Sequence, residues 1–384
     1  MIDHAESGTD PTITTNKRAL RVAYVLAYRA PHYIRSLSLQ RALGNCSRIE
    51  LLSARNHSSG MARYVETWRA LRQLRKTHAP DLYILGFRGH EMFWPVRWLT
   101  RGKPLVFDAL MSPSAALHEE NKAGFLGRLI APLLGALERG ILRRADLVLT
   151  DTPQHVAFYI RQFGLTQDKL LAVPVGAEEP NVAVNLVATP AADAPLKVLF
   201  YGSMLPLHGI DVIIAAAAKL ADSPIRFDFI GGSARQARRL RRQCAMQGVT
   251  RYTHRRWVPM DELVDAEIPS ADVCLGGPFG GTPQARRVVT GKALQSLALA
   301  KATVIGAIDE ASGFLDKDNC LLVPQADPTA LAAALRWCAA HRDALTSIGE
   351  RGQALYRQRF SVQIITQQLC PALERLHAAH KEQP

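Results

Sequence analysis

Short runs of apolar and β-branched residues alternate along the chain with longer segments of helical periodicity. In the first half, the runs ALRVAYVLAY, IELLSA, DLYILGF, PLVFDALM and DLVLTDT are each followed by a segment with a helical pattern. Such alternation is typical of parallel strands joined by helices, with both faces of the sheet covered. The first half is therefore predicted to form one Rossmann-like unit.

The alternation stops at EEPNVAVNLVATPAADAP and then starts again. The second series contains the runs LKVLFYGS, IRFDFIGG, DVCLGG and ATVIGA, again separated by helical patterns. We therefore predict an α/β protein of two Rossmann-like domains with parallel sheets facing across a cleft. The predicted parts are a disordered tail at 1–16, a first domain at 17–185, a linker at 186–196, a second domain at 197–360, and a C-terminal helix at 361–384 that packs back towards the first domain.

The composition is that of a soluble globular protein. The chain has 384 residues, of which 48% are hydrophobic and 21% charged, and this length is suited to two cores. The first sixteen residues are polar, which argues against a secretory signal, and the longest apolar segment is interrupted by charges, which argues against a membrane-spanning helix. Six cysteines without a CxxC motif predict reduced thiols in the cytoplasm rather than disulfides or a zinc site.

The positive charge is concentrated in the first half. The formal net charge is +13, and residues 17–190 hold 24 Lys and Arg against 13 Asp and Glu, a net charge of +11. A surface of this kind attracts anionic lipid, nucleic acid or phosphorylated substrates. A basic surface that is merely solvated remains an equal alternative.

One loop with anion-binding chemistry follows the first strand of the second unit. Gly202 and Ser203 come directly after that strand, and a helix is predicted to begin near Gly209. Small residues at such a turn allow backbone N–H groups to approach an anion, and the helix dipole adds attraction. His208 is placed to donate to a phosphate oxygen, or else to act only as a cap or a solvated residue. No GxGxxG motif is present, which argues against a dinucleotide-dependent oxidoreductase.

A second loop of the same kind precedes the segment GKALQSLALAKATVIG. After DVCLGG comes the glycine- and proline-rich loop PFGGTPQARR, and then a helix with Lys292 and Gln295 at a spacing that places them on one face. A lysine in the first helical turn and free backbone N–H groups form a suitable cradle for a diphosphate. The alternative is that Arg286, Arg287 and Lys292 are surface residues at the entry to a buried helix.

Taken together, these motifs resemble a known family. GSMLPLHGIDVII, RFDFIGG, THRRWVPMDELVDAEIPSADVCLGG, GKALQSLALAKATVIG and ALYRQRFS are similar in order and spacing to the nucleotide-sugar-binding domain of retaining glycosyltransferase family four, also called glycosyl transferases group 1, which has the GT-B fold. The resemblance covers residues 197–384 well, and the first half more weakly. It implies transfer of a sugar from a nucleoside diphosphate sugar to a glycan or lipid-linked acceptor, with retention and without a metal or other cofactor.

The resemblance also implies a setting. Enzymes of this family that have such a basic first half would act in cell-surface polysaccharide or lipopolysaccharide synthesis, in the cytoplasm or at the inner face of the cytoplasmic membrane. Peripheral contact with anionic lipid would suit the charge of the first half.

The resemblance assigns donor-binding roles to particular positions. The loop Phe279, Gly280, Gly281 and Thr282 corresponds to the glycine-rich loop whose backbone meets the donor sugar. Trp257 and Val258 correspond to the segment that holds the nucleobase. Gln295 falls where most members have a Glu that accepts hydrogen bonds from the ribose hydroxyls, and an amide can still bond to them.

Two departures from the family pattern affect the phosphate site. The first Glu of the family's paired-Glu motif would fall at Arg287, and the usual Arg and Lys of the first phosphate loop fall near Ser203 and His208. Phosphate charge is therefore expected to be met by Lys292, with the basic run that contains Arg286 beside it.

The first half offers candidate residues for the acceptor side. The loop after the first strand carries Arg29, His32 and Tyr33, which are available to an acceptor or to a donor phosphate. Asp108 lies at the carboxyl end of a strand and faces the expected cleft. It could accept the proton of the acceptor hydroxyl or orient a donor hydroxyl, or it could stabilise a loop or cap a helix.

The segment LTDTPQH is a different case. Asp151 and His155 there indicate the start of a helix, with Thr152 or Asp151 as its cap, rather than a catalytic pair.

The resulting hypothesis is a glycosyltransferase whose candidate catalytic residues are Lys292, His208 and Asp108. A catalytically silent GT-B-like subunit that binds nucleotide sugar remains an alternative, motivated by Arg287 and Gln295. The basic run ARRLRRQ at 237–243 suggests a nucleic-acid binder, but no aromatic residues interleave the arginines, which indicates a solvated helix face and no nucleic-acid partner.

Overall fold

A computed structural model describes residues 18–30, 33–119, 124–178, 194–308 and 312–382. Within these ranges the chain forms two six-stranded sheets, and every strand pair in both sheets is parallel. The prediction of an α/β protein with two Rossmann-like sheets is therefore confirmed. The predicted tail at 1–16, most of the predicted linker and His32 lie outside the described residues.

The first sheet has the strand order β2-β1-β3-β4-β5-β6. Its elements are β1 (Leu20–Leu26), α1 (Ile34–Gly44), β2 (Ile49–Arg55), α2 (Ala62–His78), β3 (Leu82–Leu85), α3 (Phe93–Leu99), β4 (Leu105–Asp108), α4 (Pro113–Glu119), α5 (Gly124–Arg144), β5 (Leu147–Thr150), α6 (Pro153–Phe163) and β6 (Leu170–Ala172). β3, β4 and β5 are buried along their whole length, because helices cover both faces of the sheet.

The second sheet has the strand order β12-β11-β10-β7-β8-β9. Its elements are β7 (Leu196–Tyr201), α7 (Ile210–Ala218), β8 (Ile225–Ile230), α8 (Ala234–Met246), β9 (Tyr252–Arg255), α9 (Met260–Glu262), α10 (Ile268–Ser270), β10 (Val273–Leu275), α11 (Gly291–Ala298), β11 (Ala302–Gly306), β12 (Leu321–Val323), α12 (Pro328–Ala340), α13 (Arg342–Arg359) and α14 (Val362–Glu382). A single turn of π-helix, Leu263–Glu267, joins α9 to α10.

The last helix crosses back to the first domain. Leu369 and Leu373 of α14 are buried in the same core as Leu39 and Leu43 of α1, on one face of the first sheet. The other face of that sheet is covered by α2, α3, α5 and α6. Thr366 donates a hydrogen bond to the carbonyl oxygen of Ala42 at 3.0 Å. α14 thus completes a core that begins more than 300 residues earlier in the chain.

The two domains meet at the carboxyl ends of their strands. Phe87, Leu110 and Val175 follow β3, β4 and β6, and they share one buried cluster with Val289 and Leu294 of the second domain. In open parallel sheets this edge is where ligands bind. The contact therefore brings the ligand-binding edges of both sheets together.

Candidate functional site

The loop after β7 turns on a glycine. Gly202 has a φ of 115°, which only glycine adopts readily, and its N–H donates to the carbonyl oxygen of Ile230 at 2.8 Å. The next residue, Ser203, accepts a hydrogen bond from the Nδ1 atom of His208 through its carbonyl oxygen. Gly202, Ser203 and His208, which the sequence analysis assigned to one loop after a strand, therefore lie in one loop of the structure.

The glycine-rich loop after β10 packs against this turn. The N–H of Gly280 donates to the carbonyl oxygen of Leu207 at 3.0 Å. A Cβ atom on Gly280 would lie 2.1 Å from the carbonyl oxygen of Pro206, and one on Gly209 would lie 2.5 Å from the carbonyl carbon of Phe279. Neither glycine can therefore be replaced without moving backbone, and the two loops form one unit.

Lys292 extends from α11 to the same place. Thr290 caps this helix by accepting a hydrogen bond from the N–H of Ala293 at 3.2 Å, while its own hydroxyl donates to the carbonyl oxygen of Gly276 at 2.6 Å. The Lys292 Nζ atom lies 3.9 Å from the position that a Cβ atom on Gly202 would occupy, and 5.5 Å from the ring centroid of Phe200. The first turn of α11 thus delivers an amine to the loop after β7.

The Lys292 side chain is 8% exposed, and among the residues that the structure describes none forms a hydrogen bond or an ion pair with its amine. Burial lowers the pKa of Lys292 to about 7. An anion placed beside the amine would favour its charged form and raise that pKa again. The geometry therefore places a basic side chain beside the Gly202 turn, where it can bind an anion.

His208 shares this environment. Burial lowers the pKa of its imidazole, and the nearby Lys292 amine lowers it further. Because the carbonyl oxygen of Ser203 can only accept, the proton in the Ser203 hydrogen bond belongs to Nδ1. The neutral ring then has an acceptor at Nε2, so a phosphate oxygen could contact Nε2 only after the ring is protonated.

Asp108 is placed differently from a cleft-facing carboxylate. It is completely buried, and the guanidinium of Arg35 donates to both of its oxygens, with Nε at 3.1 and 3.2 Å and Nη2 at 2.9 Å. Burial raises the pKa of Asp108, and the Arg35 guanidinium opposes that rise. These contacts correspond to the loop-stabilising alternative for Asp108, and a catalytic role for it stays a prediction.

Arg35 is the residue that the sequence prediction missed. Its remaining donors bond to the carbonyl oxygens of Thr150 at 3.1 Å and Pro174 at 3.0 Å, and also to that of Val173. It therefore ties together the ends of β4, β5 and β6. Its position in the sequence could have indicated that it is buried, because Arg35 lies four residues before Leu39 and so on the same, inward face of α1.

Gln295 joins the domains. Its side-chain oxygen accepts a hydrogen bond from the N–H of Glu178 at 2.8 Å, and its side-chain nitrogen donates to the carbonyl oxygen of Glu178 at 2.7 Å. The predicted ribose contact would use the same atoms, so in this arrangement Gln295 serves the domain contact instead.

Arg287 also contacts the first domain. Its guanidinium lies 4.2 Å from the ring centroid of Phe158, and its carbonyl oxygen accepts a hydrogen bond from Thr152 at 2.6 Å. Of the two predicted caps of α6, Thr152 and Asp151, it is Thr152 that accepts a hydrogen bond from the N–H of His155 at 3.1 Å, which confirms the helix start. Asp151 and the His155 ring are hydrogen-bonded to each other in the interior.

The other predicted donor residues differ in exposure. Phe279 and Gly280 are buried, whereas Gly281 and Arg286 are exposed. Thr282 accepts a hydrogen bond from the N–H of Ala285 at 3.2 Å. The segment before α9 is open, because Trp257 is 75% exposed and Val258 is only half-buried.

The acceptor-side residues are near the domain contact. Tyr33 stacks on Phe87 with ring centroids 4.8 Å apart, and Tyr28 packs edge-on against the same ring at 5.1 Å. Arg29 is exposed in the same loop, and His32 is not among the described residues. An aromatic surface thus follows β1 and β3 at the cleft edge of the first sheet.

Two cavities are present away from Lys292. One of about 470 Å³ lies between the domains and is lined by residues that include Asp151, Pro174, Leu294 and Phe360. The other, about 410 Å³, opens to the surface of the first domain between α5 and α6, where Pro132 and Phe158 line it. In the described part of the chain, no group of three or more His, Cys, Asp or Glu side chains could hold a metal ion. None of the described helices is long and apolar enough to cross a bilayer.

Family models match both domains. Residues 195–341 match the model described as glycosyl transferases group 1, and residues 13–176 match the glycosyl transferase 4-like domain. The chain belongs to the group 1 glycosyltransferases. It is therefore an enzyme of the glycosyltransferase class, and the family resemblance of the sequence is confirmed. A comparison with curated protein sequences found no significant match.

Solved structures of the same architecture cover nearly the whole glycosyltransferase. The sucrose-phosphate synthase of Thermosynechococcus elongatus matches with a TM-score of 0.72 at 16% identity, over 94% of this chain and 100% of the other. Anabaena HepE in complex with UDP-glucose matches with a TM-score of 0.65 at 15% identity, over 93% and 100%. The lipopolysaccharide outer core galactosyltransferase WaaB, in its apo form, matches with a TM-score of 0.61 at 12% identity, over 93% and 99%. These neighbours show the GT-B fold.

Proposed function

We propose that this glycosyltransferase moves a sugar from a nucleoside diphosphate sugar to a glycan or lipid-linked acceptor, with retention of the anomeric configuration. The observation that carries the proposal is the buried Lys292 amine, which lies between the Gly202 turn and the first turn of α11 without an anionic partner among the described residues. The structurally similar HepE, whose structure is a complex with UDP-glucose, supports a donor of this class.

The site would act on the leaving group. As the anomeric bond breaks, negative charge gathers on the diphosphate, and groups that bind this charge more tightly in the transition state than in the ground state accelerate the reaction. Lys292 is well suited, because a buried charge interacts strongly with its partner. The backbone N–H groups at the N-terminus of α11, where the helix dipole is positive, would also attract the diphosphate. His208 would add a second cation only if the bound diphosphate raised its pKa.

The rest of the donor would follow the loops on either side. The Gly280 and Gly281 backbone would meet the sugar, and the exposed Trp257 with Val258 would meet the nucleobase. Gln295 would reach a ribose hydroxyl only by releasing the backbone of Glu178, so we propose that donor binding and the domain contact compete for this amide.

The acceptor would bind on the first domain, where Arg29, His32 and Tyr33 follow β1. Its class is a glycan or lipid-linked glycan of cell-surface polysaccharide or lipopolysaccharide synthesis in the cytoplasm, and the similar fold of WaaB, a lipopolysaccharide outer core galactosyltransferase, supports this setting. Asp108 would position this surface through Arg35 rather than contact the acceptor, given that both of its oxygens bond to that guanidinium.

The alternative of a catalytically silent subunit departs from the enzyme class to which the matching family models belong. Two observations favour it: Gln295 is engaged by Glu178, and Arg287 stands where the family has a Glu and packs on Phe158. Transfer or slow hydrolysis of a nucleotide sugar by the purified chain would exclude this candidate. A role in nucleic-acid binding is not proposed.

The test is a panel of nucleoside diphosphates and their sugars, read first as thermal stabilisation and then as release of nucleoside diphosphate. A ligand at about 100 times its Kd stabilises by roughly 2.7 kcal/mol, which is easily measured. We expect one base to stabilise the wild-type chain, and Lys292→Met to lose both that stabilisation and turnover. Lys301→Met is the control, since Lys301 is a partly buried lysine that donates to the carbonyl oxygen of Pro269 instead. Equal turnover of Lys292→Met and wild type at saturating donor would refute the assignment.

A further inference from the structure

The first domain has an apolar surface that nothing in the described chain covers. On α5, the side chains of Leu129, Ile130, Leu133 and Leu137 are between 51% and 67% exposed. They recur at three- and four-residue spacing and so form one stripe along the helix. The opposite side of α5 is buried in the domain core, through residues such as Leu142. The helix therefore has two apolar sides, of which the fold uses one.

Two tryptophans extend this stripe. Trp94 and Trp98 of α3 are 43% and 59% exposed and lie one turn apart. A Cβ atom on Gly140 of α5 would be 3.7 Å from the Trp94 ring, an ordinary van der Waals distance, so the two helices pack side by side at this point. We call Leu129, Ile130, Leu133, Leu137, Trp94 and Trp98 the α3–α5 surface. The stripe begins near the N-terminal end of α5, which packs against α4.

The far end of the α3–α5 surface is basic. Arg101 follows α3 and Arg144 ends α5; both are exposed, and neither forms an ion pair with a carboxylate among the described residues. The Arg144 guanidinium lies 5.2 Å from the ring centroid of Trp94, at the junction of the apolar and basic parts. Exposed leucines, tryptophans and free arginines on one face match the chemistry of the interface between water and anionic lipid.

We propose that the α3–α5 surface docks on an anionic lipid bilayer, with α5 lying in the plane of the headgroups. The inference deepens the proposed function by naming a surface that would bring the enzyme to a lipid-linked acceptor. Only this link to the acceptor rests on the proposed function, and the lipid binding itself does not. Charge complementarity selects this occupant. A second copy of the chain packed leucine stripe against leucine stripe would offer these arginines no carboxylate, because the residues of the α3–α5 surface are all apolar or aromatic.

The alternative source of lipid affinity is the net charge of the whole protein. That charge is not confined to the α3–α5 surface, because α8 also exposes arginines such as Arg238 and Arg242. General charge attraction would depend equally on the arginines of α8 and on those beside the α3–α5 surface. Docking through the α3–α5 surface would depend only on the second group of arginines and on the exposed leucines. Paired substitutions on the two helices separate these cases.

The experiment is co-sedimentation of the full chain, without donor, with vesicles of phosphatidylcholine alone or mixed with phosphatidylglycerol. We expect binding to the mixed vesicles. The partition coefficient should fall about tenfold or more in Leu133→Glu/Leu137→Glu, and about fivefold for each arginine removed in Arg101→Gln/Arg144→Gln. Arg238→Gln/Arg242→Gln is the matched control and should bind as wild type. Thermal unfolding of each variant checks that it is folded.

A second readout reports contact directly. Trp94→Phe/Trp98→Phe should lose the blue shift of tryptophan fluorescence that vesicles induce, and Trp257→Phe should keep it. The proposal fails if the full chain binds neither vesicle, if both arginine pairs weaken binding equally, or if light scattering finds a dimer that Leu133→Glu/Leu137→Glu dissociates. Sugar transfer to a water-soluble acceptor is measured separately, so failure here leaves the proposed transferase standing, and failure of transfer leaves vesicle binding standing.

Discussion

Gln295 and Glu178 are joined by two hydrogen bonds, 2.8 and 2.7 Å long, that cross from the second domain to the first. A side-chain amide fits a peptide group in this way because it offers one donor and one acceptor side by side. A carboxylate offers only acceptors. The amide at this position therefore suits the closed contact between the domains better than the Glu of the family pattern would.

Replacement of Gln295 by Glu should weaken that contact. The carboxylate would face the carbonyl oxygen of Glu178 without a proton to donate, and we expect a loss of about 1–3 kcal/mol in the free energy of unfolding. Thermal or urea unfolding measures this. Gln247→Glu, an exposed change at the end of α8, should have little effect. If both variants are as stable as wild type, Gln295 does not hold the domains together.

Removing only Asp108 from the Arg35–Asp108 pair should destabilise the protein more than replacing both residues by apolar ones. Asp108→Ala leaves a fully buried guanidinium without its partner, and we expect a loss of about 3–5 kcal/mol. The double variant Arg35→Met/Asp108→Leu should recover a large part of that loss, because no charge is left unpaired. Urea unfolding of both single variants and the double variant completes the cycle. Additive losses would show that the pair is not energetically coupled.

Thr152 makes two contacts through one hydroxyl. It caps α6 and donates to Arg287 across the domains, so Thr152→Val should lose about 1–2 kcal/mol through the cap alone. Thr152→Ser keeps the hydroxyl and should retain most of the stability. If Val and Ser substitutions are equally destabilising by urea unfolding, the hydroxyl contributes nothing and the methyl packing accounts for the effect.

Much of the fold is readable from the sequence, because strands buried on both faces have to be continuously apolar. Examples are β4, with the sequence LVFD, and β5, with the sequence LVLT. The alternation of such apolar runs with helical segments along the chain indicated two parallel sheets. Loop positions followed from the strand ends. This is why Gly202, His208 and Lys292 could be predicted to lie together although they are up to 90 residues apart.

The partners of polar residues were not readable in the same way. Asp108 was visible as a carboxylate at the end of a strand, but its buried partner Arg35 lies 73 residues earlier, and only the fold brings them together. Gln295 was visible at the position of a ribose ligand, but its contact with Glu178 exists only where the domains meet. Long-range pairings of this kind depend on tertiary geometry, which hydrophobic periodicity does not encode.

Lys292 should reduce the stability of the free protein. Because its pKa is lowered to about 7, the unfolded chain holds more protons on this amine than the folded chain between pH 7 and about 10.4. The destabilising effect of Lys292 is thus fully present below pH 7 and decreases as the pH rises from 7 to about 10.4. We expect Lys292→Met to be more stable than wild type at pH 6, with a difference that shrinks towards pH 10. Lys219→Met, an exposed control, should show no such trend.

The most direct measurement of the central claim is the affinity of a nucleoside diphosphate for the free enzyme as a function of pH. For the base that stabilises the chain best, calorimetric titration should give tighter binding at pH 6 than at pH 9, because the anion favours the protonated amine. Lys292→Met should bind at least about tenfold more weakly at pH 6, a difference of about 1.4 kcal/mol, and should lose the pH dependence that this amine causes. Equal affinity and equal pH dependence in the two proteins would contradict a diphosphate site at Lys292.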